Sequence, residues 1–382
     1  MREVFACAIA GWILIGCAPP SVRPAPELPD RIAPRAAEVR DRLVPPQGEC
    51  LAQARRHVAR PSELLAAPLP AAMRKRVEVV LEGLHPVAKQ VLLKTHGIWF
   101  AENIPGAAAV FLPCDVDRAA GTGGFVLIDL GQFPLDRRLR DAEVPALYWR
   151  SLAGSAPPSR PGVYSIGTLD QSAPTAPDHA MRYLVLHELG HAFSLHTGEF
   201  SLDDRSRMQV TNTRGFVGLS WRMMTTERKY LPLAGTSPTV QAVVPRKSLD
   251  TFEWGSVLAA QGADAALLAP GWALTPHRSA VARAREVCAV VSKLPQAGFV
   301  TPTAARYPTE DFAEMFAHAI LANEGKLRPT DRIPIDLPGC GVREIGSPYF
   351  APALAAKRRY MERMLGFVSD STPAPKPARS AK

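Results

Sequence analysis

Apolar residues recur along residues 71–94 at helical spacing: Val77, Val80, Leu81 and Leu84, then Val87 and Val91, with Arg, Lys and Glu between them. Pro86 falls inside that pattern. A proline in a helix interior removes a hydrogen bond and clashes with the preceding turn, so two helices are predicted, divided there. The period then changes. Residues 97–100, 107–112 and the glycine-bounded 124–130 are short apolar runs of strand length, and 163–166 is a shorter one. From Asp178 the helical period returns. Residues 200–300 are mixed, and their repeated prolines argue against long elements. A strong helix is predicted over 309–323, with Phe312, Met315, Phe316, Ala319 and Ile320 as its core face, and another over 352–365. Helix, then strands, then separated helices make an α+β class.

The first residues follow a different rule. Residues 4–16 form an apolar run behind Arg2, too short for a bilayer but suited to the core of an export signal. The run ends Leu14-Ile15-Gly16-Cys17, which resembles a bacterial lipobox; that likeness implies removal of 1–16 and lipidation of Cys17. Ala18 follows, with no aspartate there, which by likeness to Gram-negative sorting rules favours the outer membrane. Residues 17–48 then read as a proline-rich tether, 49–368 as the folded block, and 369–382 as a basic disordered tail. Proline numbers 37 in 382 residues, about twice its usual share.

Export also frames the cysteines. With Cys7 lost and Cys17 lipidated, Cys50, Cys114, Cys288 and Cys340 remain, an even set that favours two disulfides in an oxidising compartment. Spacing leaves all three pairings open, and the absence of a close CxxC pair argues against a four-cysteine zinc site. The formal net charge of +9 adds affinity for anionic surfaces. It comes with no basic stripe carrying interleaved aromatics, so no nucleic-acid partner is expected.

Candidate chemistry concentrates in His187-Glu188-Leu189-Gly190-His191. On a helix, residues four apart stand one turn above each other. His187 and His191 can therefore offer two imidazoles to one metal ion while Glu188 holds the water beside them. Asp178 is the expected N-cap, Gly198 the expected stop, and close packing the expected reason for Gly190. Two known continuations do not fit. A third histidine in the HExxHxxGxxH pattern would stand at position 197, but the chain has Ser194 and His196, rotated by about 100°. Glu199 is too close on the same helix, Glu227 and Glu253 lie in non-helical sequence, and Glu286 has no acidic partner. Glu310-Asp311-Phe312-Ala313-Glu314 stands on a following helix, with Thr309 as its expected cap. Glu310 and Glu314 stack at i,i+4, so one can coordinate a metal and the other can orient a ligand histidine; a solvated acidic face is the alternative. His318 continues that line as a structural residue.

Together, His187–His191 and Glu310–Glu314 resemble the gluzincin metallopeptidases of the anthrax lethal factor catalytic domain and Pro-Pro endopeptidase type. The resemblance implies a zincin-like fold, one Zn²⁺ on His187, His191 and Glu310, Glu188 as general base, and Glu314 orienting a ligand. That family also carries a tyrosine seven residues before the ligand glutamate, as a donor to the oxyanion. Here the position is Thr303, and Tyr307 is the nearest phenol, with Arg306 and His277 as other candidate donors. The long separation between the two motifs implies an insertion within about 197–300. By the same likeness, strand 124–130 would be the sheet edge that receives a peptide, unless it is simple core. The expected activity is zinc-dependent hydrolysis of peptide bonds in proteins or peptides at the cell envelope, with the membrane reached through a lipid. A zinc amidase acting on cell-wall peptides is close to that reading. The reading from another class is a lipid-anchored binding or structural protein with a vestigial site.

Overall fold

The computed structural model describes residues 36–58, 60, 64, 69–102, 104, 109–117, 122–130, 163–164, 176–203, 208–212, 215–221, 295–296, 298–301, 304, 308–337 and 341–367. The export signal, Cys17, His277, Cys288, Thr303, Arg306, Tyr307, Cys340 and the 369–382 tail lie outside the described residues.

Four helices come first: α1 (Ala36–Arg40), α2 (Gly48–His57), α3 (Ala71–Glu82) and α4 (Pro86–Lys94). Pro86 does divide the periodic stretch. It opens α4, where its missing N–H is no loss, and the His85 side chain accepts from the Val87 N–H at 3.3 Å. The core begins earlier than the expected 49. Val39 and Leu43 are buried, and the Ile98 N–H donates to the Arg42 carbonyl at 2.8 Å. Two apolar side chains one turn apart are enough to carry residues 36–43 onto the core, so the tether reading does not hold for them.

Strands β1 (Gly97–Ala101), β2 (Ala109–Leu112) and β3 (Phe125–Asp129) form one mixed sheet in the order β1-β3-β2. β1 pairs with β3 in parallel and β2 pairs with it antiparallel. This corrects one expectation: 124–130 is the central strand, and among the described residues β2 is an edge. β3 is paired on both sides and Phe125–Ile128 are all buried, whereas Val110 on β2 is partly exposed. A disulfide joins Cys50 on α2 to Cys114 just after β2, selecting one of the pairings left open by the sequence.

Helix α5 (Ala176–His196) carries HExxH. It starts two residues before Asp178, which therefore stands in the first turn, paired with Arg76, and not at the cap. Gly198 ends it as expected, with φ +73° and its N–H on the Leu195 carbonyl at 3.1 Å. A hairpin follows, β5 (Phe200–Leu202) and β6 (Met208–Val210). Helix α6 (Pro308–Asn323) likewise begins a residue early, so Thr309 lies inside its first turn. Two-residue β4 (Val163–Tyr164) pairs with β7 (Arg332–Leu337), which pairs with β8 (Gly341–Gly346). Pro334 inside β7 interrupts the residue pattern that marks a strand. Helix α7 (Ala355–Met364) closes the described chain. Mixed α and β structure with a small sheet agrees with an α+β class.

α5 and α6 lie against each other, and α5 is also backed by α3, α4 and the sheet. Met181, Leu184, Val185, Leu186, Leu189 and Ala192 are buried on every side of α5, the pattern of a helix enclosed by its domain. A Cβ placed on Gly190 would lie 2.7 Å from the Ala313 Cα and 3.0 Å from its carbonyl oxygen. Gly190 is thus where two helix backbones touch. Gly190→Ala gains about 1 kcal/mol of helix propensity, yet backbone cannot yield as a side chain does. We expect a net loss of about 1–3 kcal/mol in a denaturant titration, as for overpacked cores. A variant as stable as the wild type would contradict this contact.

Candidate metal centre

The contact at Gly190 sets what lies one turn to either side. His187 and His191 project from α5 toward Glu310 in the first turn of α6. His187 Nε2 is 3.2 Å from Glu310 Oε2, and His191 Nε2 is 3.7 Å from Glu310 Oε1. One ligand atom from each of the three residues lies within 4.8 Å of the others, a spacing that can hold a metal ion. Two imidazole nitrogens and a carboxylate are the donor set of a catalytic zinc site, which keeps its fourth position open. The two histidines are buried, while the Glu310 side chain retains 26% exposure, so the group opens on the Glu310 side.

Glu314, one turn further along α6, is fully buried, which removes the solvated acidic face as an explanation. Its Oε1 lies 3.3 Å from His187 Nδ1. A proton held there leaves the Nε2 lone pair for a metal. Tyr183 donates its phenolic O–H to Glu314 Oε2. His318 donates from Nδ1 to the Glu314 backbone carbonyl at 2.8 Å and stacks on Tyr349. Sequence reasoning missed Tyr183. The available signal was its place one turn before His187 on the same helical face.

Burial and the neighbouring carboxylates set the charges of the site. Burial works against a proton on His187, but the carboxylates of Glu310 and Glu314 outweigh it and hold this imidazole well above its usual range. Burial likewise works against the Glu314 charge, yet His187, His318 and Tyr183 keep it below the ordinary glutamate value. Glu188 is pushed up to about 7 by burial, with the charge of Glu310 adding, while His187 and the backbone of Phe111 on β2 oppose the shift. Three acids around two histidines thus favour a proton on His187. A divalent cation on the same donors satisfies them more fully.

The other histidine and glutamate near the motif are engaged elsewhere. His196 reaches the backbone of Gly123 at the far end of α5. Glu199 accepts from Tyr360 O–H at 2.6 Å, Asn212 Nδ2 at 3.0 Å and the Phe216 N–H at 3.3 Å. A second geometric group, Cys50, His96 and Asp115, has its sulfur committed to the disulfide, which leaves only two exposed donors. Asp311, in the first turn of α6, is wholly buried and paired with Lys357. No protein-family model matches the chain, and neither a curated protein nor a solved structure matches it.

Two histidines make the metal-free fold acid-sensitive. Burial lowers His191 to about 4 despite Glu310, and burial with the charge of Lys94 lowers His196 to about 4. Below the unfolded value of about 6.5 the unfolded chain binds more protons than the folded one, so stability falls with pH through that window. Replacing His196 with Gln removes one of these protonations. Circular dichroism of metal-free protein should then show acid unfolding shifted to lower pH; an unmoved or raised midpoint would count against the assignment.

Proposed function

We propose that the chain is a zinc-dependent metallopeptidase of gluzincin type that hydrolyses peptide bonds at the bacterial cell envelope. The observation that carries this reading is the meeting of His187, His191 and Glu310 across two helices, with Glu188 on the same helical turn as the ligands. Bound zinc would supply a Lewis acid and a water of lowered pKa, near 7. The residues of the chain do the rest. Glu188 takes a proton from the attacking water and returns it to the leaving nitrogen. Glu314 orients His187 through Nδ1, and Tyr183 in turn fixes Glu314. β2, the edge of the sheet nearest Glu188, offers its backbone to an extended peptide as an added strand. The export signal and Cys17 are read as delivering this activity to the envelope on a lipid anchor.

Zinc per chain tests the site and turnover tests the reaction. The wild type should carry about one zinc, and Glu310→Ala should lose most of it. Glu188→Gln should keep zinc while hydrolysis of a protein substrate such as casein falls by about 10²-fold or more. Zinc retained without Glu310 would remove the third ligand. Hydrolysis surviving in Glu188→Gln would remove the general base, and a wild type free of zinc would favour a binding protein.

The pH profile has a definite sign. Burial, aided by Glu310, sets Glu188 at about 7 in the metal-free chain, and a cation that neutralises Glu310 must lower it. Activity needs the ionised carboxylate. The acid limb of kcat/KM should therefore lie below pH 7, and a limb above 7 would exclude Glu188 as the base.

A further inference from the structure

Glu310 stands in the first turn of α6, the part of a helix most prone to fray. A metal ligand tolerates little of that, because productive geometry requires placement within about 0.5 Å. The next residue, Asp311, is held through Oδ2 by two donors. Lys357 on α7 donates from Nζ to Asp311 Oδ2 and to the Gly298 carbonyl at 2.6 Å. Trp221 donates from Nε1 to the same Asp311 oxygen at 2.8 Å. The Lys357 ammonium also lies 4.4 Å above the Phe299 ring, against which Trp221 packs edge-on. Both charges are buried, Asp311 completely and Lys357 to 2% exposure.

Stability alone does not account for such a pair. Removing two charges from water is costly, and well-packed apolar residues in their place are often neutral or better. An ion pair supplies direction: its hydrogen bonds admit one placement, whereas an apolar side chain can slide. Adjacent helical residues point about 100° apart. Asp311 can thus be held from α7 while Glu310 faces the histidines, and Glu314 holds the same helix from the metal side.

We propose that Asp311 and Lys357, with Trp221, are positioning residues that fix the first turn of α6 so that Glu310 meets the metal. This rests on the reading of Glu310 as a zinc ligand. The test replaces the pair by an apolar one, Asp311→Leu with Lys357→Met, in the full-length chain. Zinc affinity is measured by competition with a chromophoric chelator, beside the thermal midpoint of the metal-free protein. The expected result is a midpoint at or near that of the wild type with zinc bound about 10–100-fold more weakly, the range found when outer partners of metal ligands are removed. Lys357→Arg, which keeps the charge, should recover most of that affinity. A folded double variant with wild-type zinc affinity would overturn the proposal. Should the double variant not fold, Trp221→Phe decides. It deletes one donor to Asp311 and keeps the ring on Phe299, so weaker zinc binding supports the proposal and unchanged binding overturns it. A wild type that takes up no zinc would fail differently, by removing the ligand assignment itself.

Discussion

The backbone contact between Gly190 and Ala313 governs the placement of everything chemical in this chain. Because Gly190 has no side chain, α5 and α6 approach until their main chains touch. His187 and His191 stand three residues before and one residue after that point, and Glu310 three residues before Ala313, so all lie within one turn of the contact. Helices spaced by ordinary side chains sit about 8–10 Å apart. At that spacing Glu310 would have to extend further to reach the histidines. The Phe193 ring against Phe316, centroids 5.1 Å apart, fills the volume beside the contact.

Electrostatics then explains why so close an approach suits a cation. Glu188, Glu310 and Glu314 are brought together in a largely dry space, where like charges repel more strongly than in water. Without a metal, His187 holds a proton that burial alone would have removed. An arrangement of this kind is a poor choice for stability, since unpaired buried charge is costly. It is a good choice for binding: the charges are prepaid by folding, and a cation meets donors that need no rearrangement.

How much of this was legible in the sequence depended on distance along the chain. The HExxH turn and the Glu310–Glu314 turn are each local, and helical geometry brought their members onto one face with no knowledge of the fold. The break at Pro86, the strands β1 and β3, and the stop at Gly198 were readable for the same reason. What could not be read were pairings between remote segments. Tyr183 reaches Glu314, Lys357 reaches Asp311 and Cys50 reaches Cys114, and no local period encodes any of them. The order of strands escaped for that reason too. A strand of four apolar residues looks the same at the edge as in the centre, and only its neighbours decide.

The edge position of β2 matters more than the error it corrects. A central strand has spent its hydrogen bonds on both sides; an edge strand keeps half of its N–H and C=O groups for another chain. Among the described residues no strand pairs with the outer side of β2, which lies beside α5, and the backbone of Phe111 already bears on the Glu188 carboxylate. On the proposed function, a peptide paired to β2 would run past Glu188 with its residues at intervals of about 3.4 Å. The Cys50–Cys114 bridge ties the end of this strand to α2. That tether limits how far this end of the strand can shift. Strand and ligand helix are thus each pinned from outside the metal group, β2 through the disulfide and α6 through Lys357. On the proposed function, the approach of a scissile bond to Glu188 would depend on these two pinned elements.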